Sequence, residues 1–425
     1  MFGTTATTVV FGLLIPLSGC GSQEDGAGDG ATLRLVAAEY GDTQATSSKA
    51  YWDKLTADFT AAHPGIEVEV QLLPWADVDR EVSRMVKAGK APDMALMGSY
   101  SDFAAEGELY SADQLFSVSA EANFLQPLAE AGSVGSTLYG LPFVASSRLL
   151  FYNEALFTKA GITSPPKTWS DLKSAAKALK DRGVKVPYAL PLGPEEAHAE
   201  AMIWELSNGG GYADSSGNYN LASDQNIKTW QWVKDNLVAP GLTGPVPPAQ
   251  LNRADAFAAF LRGEVGMLNG YPSLDHEARA RGIGVGAVAM PVSDTIGSGE
   301  NPPTVGVADW MMAFKQNGHR EQIGSFVEFL YQDKNLMDFA NRYHLLPSTT
   351  SALRTQDGGG GLSKNDTQFL TALRGAQLYP VNDPSWVTVS DTIKRNIGRA
   401  VEPGGDPKAV LEDISAKAGQ AAKKR

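Results

Sequence analysis

Three segments decide the fold: Thr32-Leu33-Arg34-Leu35-Val36-Ala37-Ala38-Glu39-Tyr40, Ile66-Glu67-Val68-Glu69-Val70-Gln71-Leu72, and Asp93-Met94-Ala95-Leu96-Met97. In the first, Leu33, Leu35 and Ala37 alternate with Arg34 and Val36, which reads as a buried strand ending at Glu39-Tyr40. In the second, Ile66, Val68, Val70 and Leu72 alternate with Glu67, Glu69 and Gln71, the period-two signature of a strand. The third is a short apolar strand behind Pro92. Helical patterns lie between them. Ser47-Ser48 offers an N-cap to a helix carrying Tyr51, Leu55, Phe59 and Ala62, and His63-Pro64-Gly65 stops it. Val78, Val82, Met85 and Val86 make a second helical face, closed by Gly89. A β-α-β-α-β run predicts a parallel sheet with covering helices. Such sheets bind ligands at the carboxyl ends of their strands. That nominates Glu39, Tyr40 and Asp42 after the first strand, Trp75 after the second, and Ser99 and Tyr100 after the third.

Working outward, Val9 to Leu17 is an apolar stretch interrupted only by Gly12 and Pro16. It is too short to span a bilayer, which needs roughly 20 residues, and it fits a signal-peptide core. Leu17-Ser18-Gly19-Cys20 follows and resembles the lipobox of bacterial lipoproteins. The resemblance implies cleavage after residue 19, acylation of the Cys20 thiol and an extracytoplasmic protein anchored to the cell membrane. Residues 20–31 are Gly-rich and acidic, as a flexible tether should be. Met1 to Val10 holds no Lys or Arg, a departure from the usual positively charged start of a signal peptide.

The 425 residues exceed what a single core usually supports, so two lobes are expected. A formal charge of −12 argues against nucleic-acid and anionic-lipid partners. Cys20 is the one cysteine, which excludes an intrachain disulfide. The segment from Ala155 to about Met290 reads as mainly helical, and Ile323, Phe326, Val327, Phe329 and Leu330 form a strong helical stripe. A last helix starts near Pro407. Enzyme signatures are missing: there is no Gly-x-Ser-x-Gly elbow, P-loop or His-Glu-x-x-His. Glu195, Glu196, His198 and Glu200 read as a solvated helix face rather than a metal cluster, and no cofactor or metal is expected.

An ordered set of motifs spans nearly the whole mature chain. It comprises Leu138-Tyr139-Gly140-Leu141-Pro142-Phe143, Leu150-Phe151-Tyr152-Asn153-Glu154-Ala155, Pro165-Pro166-Lys167-Thr168-Trp169-Ser170-Asp171-Leu172, Asn208-Gly209-Gly210, Phe260-Leu261-Arg262-Gly263-Glu264-Val265-Gly266-Met267, Val305-Gly306-Val307-Ala308 and Leu346-Pro347. In order and spacing it resembles the extracellular solute-binding proteins of ABC importers, family 1, in the carbohydrate-binding branch that includes maltodextrin binders. Asn153 and Thr168 or Ser170 also read as helix caps in their own right.

The resemblance implies an α/β, two-lobe, type II periplasmic-binding-protein-like fold, each lobe a mainly parallel sheet with covering helices. Three hinge crossings would fall near Leu141–Ala145, Pro303–Gly306 and His344–Ser348. Lobe one would be residues 32–142 with 305–343, and lobe two 143–304 with 344–425. The implied function is capture of a mono- or oligosaccharide by a monomer that hands it to ABC importer permease subunits. A polyamine or a glycerophosphodiester is the rival ligand, and a secreted glycoside hydrolase the rival activity. Sugars need aromatic faces and planar hydrogen-bonding groups. Tyr271 occupies the loop where the family carries a stacking aromatic, and Asp309 and Trp310 follow the hinge glycine Gly306. Trp204, Arg148 and Arg342 complete the expected ligand contacts.

Overall fold

The computed structural model describes residues 30–423, apart from positions 42, 43, 45, 76, 215, 297–303 and 359–363. The expected leader, Cys20 and the site candidate Asp42 lie outside the described residues. The strands are Ala31–Ala38 (β1), Ile66–Leu73 (β2), Met94–Met97 (β3), Ser133–Val134 (β4), Thr137–Leu138 (β5), Leu141–Ser147 (β6), Leu149–Asn153 (β7), Val186–Tyr188 (β8), Val265–Gly270 (β9), Val285–Val288 (β10), Val305–Ala313 (β11), Leu346–Pro347 (β12) and Gln377–Leu378 (β13).

Two principal sheets result. The larger runs β12-β6-β11-β3-β1-β2 with β13 beside β11, and the smaller runs β10-β7-β9-β8. The opening segments behave as read: β1 pairs in parallel with both β2 and β3. Leu33, Leu35 and Ala37 pack on Tyr51, Trp52, Leu55 and Phe59 of the helix Lys49–Ala62 and on Ile323 and Phe326 of the helix Arg320–Leu330. Val36 and Ala38 face Val78, Val82 and Val86 of the helix Val78–Lys87 instead. Both faces of β1 are therefore buried, as a central parallel strand requires.

The sheets are mixed rather than mainly parallel. In the larger, β11 is antiparallel to β3 and β6, and in the smaller, β7 is antiparallel to β9 and β10. The geometry has a simple cause. β1, β2 and β3 end at the edge facing the smaller sheet, and a chain returning from that sheet enters at the same edge, so it must run the other way. Helices predominate in the middle segment, as read, but it also contributes the short strands β8, β9 and β10, which its pattern does not reveal. β9 is buried throughout, and a short apolar run lacks the alternation that marks a strand.

Local signals hold where the chemistry is local. Asn153 Oδ1 accepts from Leu156 N at 3.0 Å and caps the helix Glu154–Ala160. Thr168 and Asp171 form a reciprocal capping box on Trp169–Asp181. The stripe from Ile323 to Leu330 is buried, and the last helix runs Pro407–Lys423.

Candidate functional site

One wall of the site grows from the strand ends of the larger sheet. Tyr40, just past β1, donates its hydroxyl to Asp309 Oδ2 in the middle of β11 at 2.7 Å. Its ring meets Trp75 edge-on at 5.3 Å and Phe339 at 4.8 Å. Trp75 keeps 40% of its surface exposed, so the indole presents an open apolar face. Asp79 lies beneath it at the start of the helix Val78–Lys87 and accepts a long 3.4 Å hydrogen bond from Gly98 N. Burial pushes the Asp79 carboxyl up to about 6 and the Asp309 carboxyl up to about 7.

The opposite wall is built around Arg148, the residue at which the chain passes from β6 to β7. Its Nη2 donates to Glu196 Oε1 at 2.6 Å and its Nη1 to Ser146 Oγ at 3.0 Å, while its guanidinium lies 4.5 Å over the Tyr271 ring. Arg253 closes the network, reaching Glu196 Oε2 at 2.6 Å and Glu195 Oε1 at 2.5 Å and donating to the Tyr271 hydroxyl. Burial raises the Glu196 carboxyl, but Arg148 and Arg253 outweigh it and hold the group below its ordinary value.

Below this network Glu200 Oε1 accepts from Tyr188 Oη at 2.9 Å, Asn269 Nδ2 at 3.0 Å and Trp204 Nε1 at 3.1 Å. Burial pushes Glu200 up to about 7. His198, which burial pushes down to about 3, lies with its ring 4.9 Å from that of Tyr379, and Tyr379 stacks on Trp386. The walls face each other. The helix Ala197–Leu206 contacts β11, and the Asp309 carboxyl feels the charges of Arg148 and Glu196.

The nominated residues divide into three groups. Tyr40, Trp75, Arg148, Tyr271 and Asp309 come together at the site. Tyr100, Trp204 and Trp310 sit beneath it, each with no exposed surface: Trp310 packs on Tyr100 at 5.3 Å, and Tyr100 donates to the Ala131 carbonyl. Glu39 and Arg342 do other work. Glu39 accepts from Ser47 Oγ, Ser48 N, Ser48 Oγ and Gly41 N, so its oxygens secure the entry to the helix Lys49–Ala62. Arg342 reaches Asp338 at 3.7 Å on the helix Asp333–Arg342.

Two readings change in substance. The Tyr271 ring, expected to stack on a ligand, carries the Arg148 guanidinium at 4.5 Å and so also supports the arginine. The segment from Glu195 to Glu200 is no solvated face, because Glu196 is paired twice and Glu200 is only 5% exposed. The sequence pattern does not single out Asp79, Arg253, Asn269 or Tyr379, and Glu196 and His198 enter it only as part of a solvated face. A pairing as distant in sequence as Arg253 with Glu195 leaves no periodic trace. Among the described residues, no group of three or more His, Cys, Asp or Glu is arranged to hold a metal ion.

Comparison with known proteins agrees with this architecture. Residues 43–337 match the family model of the bacterial extracellular solute-binding proteins. The chain is 26% identical over 407 residues to a chain named as a binding protein in Brucella abortus (strain 2308), covering 93% of this chain and 94% of that one. It is 25% identical over 239 residues to the sn-glycerol-3-phosphate-binding periplasmic protein UgpB of Pectobacterium atrosepticum, covering 54% and 52%. The crystal structure of an ABC transporter solute-binding protein from Thermotoga lettingae, bound with alpha-D-tagatose, superposes with a TM-score of 0.76 at 20% identity, covering 92% of this chain and 99% of that one. With the family model spanning more than half of the chain, and the two sheets shared over nearly its full length, the protein belongs to the bacterial extracellular solute-binding proteins and has their type II periplasmic-binding-protein fold.

Proposed function

We propose that this chain captures an uncharged mono- or oligosaccharide between its two lobes and delivers it to the permease subunits of an ABC importer. One observation carries the ligand class. The charges of the Arg148 wall are spent on one another, Arg148 on Glu196 and Arg253 on Glu195 and Glu196. What is left for a guest is the open indole of Trp75 and the half-buried Asp79 carboxyl beneath it, an acceptor for hydroxyls. That combination suits the C–H faces and hydroxyls of a sugar.

The lobes are the bodies built around the larger and the smaller sheet. Because β6 stays in the larger sheet to Ser147 and β12 rejoins it at Leu346–Pro347, their boundaries fall near Arg148 and beyond Pro347 rather than at residues 142 and 343. A guest touching both walls favours the closed form. An acylated Cys20 holds the monomer at the outer face of the cell membrane. The chain acts by binding, without catalysis.

A glycerophosphodiester is the second reading, favoured by the two guanidiniums at the site and by the likeness to the sn-glycerol-3-phosphate-binding protein. A thermal-shift series against saccharides, polyamines and glycerophosphodiesters tests the choice, since a ligand that binds only the native state raises Tm. A rise with saccharides alone is expected. A rise confined to phosphodiesters or to putrescine would overturn the saccharide reading, and turnover of a bound glycan would overturn the non-catalytic one.

A further inference from the structure

Two imidazoles meet face to face where the lobes approach each other. The His276 and His344 rings have centroids 3.8 Å apart and an interplanar angle of 9°. His276 lies on the helix Pro272–Ala280, which packs on β10 of the smaller sheet and has Tyr271, the ring beneath Arg148, as its N-cap. His344 follows the helix Asp333–Arg342 and leads into β12 of the larger sheet. Its neighbour Tyr343 packs on Tyr40 with ring centroids 5.4 Å apart. Each histidine is thus one step from a different wall of the site.

The backbone supplies a second, independent observation. Among the described residues, His344 is the one non-glycine residue in the left-handed region, with a φ of 52°. It stands just past the C-cap of its helix, where Leu345 N donates to Ala340 O at 2.8 Å and His344 N to Asn341 O at 3.4 Å, the two bonds of a Schellman motif. Glycine fills that position without steric cost, whereas a side chain there is strained. The chain carries the strain and gains a ring that reaches the opposite lobe.

We propose that the His276–His344 stack is a latch that holds the lobes together before a guest arrives. The inference rests on capture by lobe closure and not on the guest being a saccharide. A contact made only when the lobes meet biases the open–closed balance without touching the guest. Without it, binding must also supply the free energy of closure, and the apparent affinity falls by the fraction of closed chains lost.

The test combines small-angle X-ray scattering of the ligand-free full chain with calorimetric titration against D-tagatose and maltose. His344→Gly deletes the ring and keeps the turn, and His276→Ala deletes its partner and keeps the helix. The variants sit on different lobes, so one serves if the other fails to fold. Each should show a larger radius of gyration than the wild type. The double variant should show no further increase, because both changes delete one contact. Whichever sugar binds should bind roughly 2- to 10-fold more weakly to each variant, and saturating sugar should bring every radius to that of the sugar-bound wild type.

An unchanged radius in all the variants would overturn the latch, whatever the sugars do. So would a radius that grows again from the single variants to the double one, which would mark two separate packing sites. If neither sugar binds the wild type, these sugars lose their support as guests while the scattering comparison still decides the latch.

Discussion

Tyr40 and Asp309, 269 residues apart in the chain, are joined by a 2.7 Å hydrogen bond that ties the end of β1 to the middle of β11. Asp309 ordinarily ionises near 3.8; burial raises it to about 7 even though the Tyr40 hydroxyl and Arg148 lower it. Between those values the unfolded chain has released its proton and the folded chain has not. Rising pH therefore erodes stability through this group, and the loss is complete above about 7. Tyr40→Phe removes the donor that makes the ionised form tolerable. The variant should lose about 1–2 kcal/mol at pH 8 and less at pH 5, read from urea unfolding at the two values. Equal losses at both would disprove the role assigned to the hydrogen bond.

Glu205 gives a sharper case of the same sign. It is 1% exposed, its Oε1 accepts from Trp230 Nε1 at 2.9 Å, its Oε2 has no partner among the described residues, and burial pushes it up to about 8. Its contribution to stability is greatest below about 4.5 and falls as pH rises toward 8. Glu205→Gln keeps an acceptor for Trp230 and cannot ionise. It should match the wild type at pH 5 and exceed it by about 1–3 kcal/mol at pH 9, measured by denaturant unfolding. A variant weaker than the wild type at pH 9 would contradict this account.

Glu196 balances two guanidiniums at once. Glu196→Ala should cost about 3 kcal/mol of stability, because it strands Arg148 in a buried setting. Adding Arg148→Met should recover part of that loss, a coupling of about 0.5–3 kcal/mol in a double-mutant cycle. Strict additivity would show that the pair does not act as a unit.

Trp75 is the opposite kind of residue, exposed and packed edge-on against Tyr40. Trp75→Ala should weaken saccharide binding by about tenfold or more, about 1.4 kcal/mol, while the Tm of the ligand-free chain moves by no more than about 2 °C. Unchanged affinity in a titration would remove the indole from the binding wall.

Much of the scaffold was legible because its causes are local. The alternation at Ile66 to Leu72, the cap at Asn153 and the box from Thr168 to Asp171 each depend on residues within a few positions. The rule that ligands gather at strand ends nominates Tyr40 and Trp75, whose rings the structure places edge to face. It could not distinguish them from Tyr100, which follows β3 just as closely and turns inward to donate to Ala131. Aromatic side chains alike in sequence differ in what lies beside them, and that is a property of the packed interior.

Sequence by itself determined the β-α-β-α-β opening, the two-lobe size of the chain and the family to which it belongs, since periodicity and ordered motifs survive without coordinates. Only the tertiary structure decided that Arg148 is neutralised by Glu196, that Tyr271 carries an arginine, and that Glu39 secures a helix. The reason is physical. A hydrophobic period reports which face of an element is buried, whereas a charge finds its partner only after the chain passes between sheets and brings residues tens to hundreds of positions apart within 3 Å.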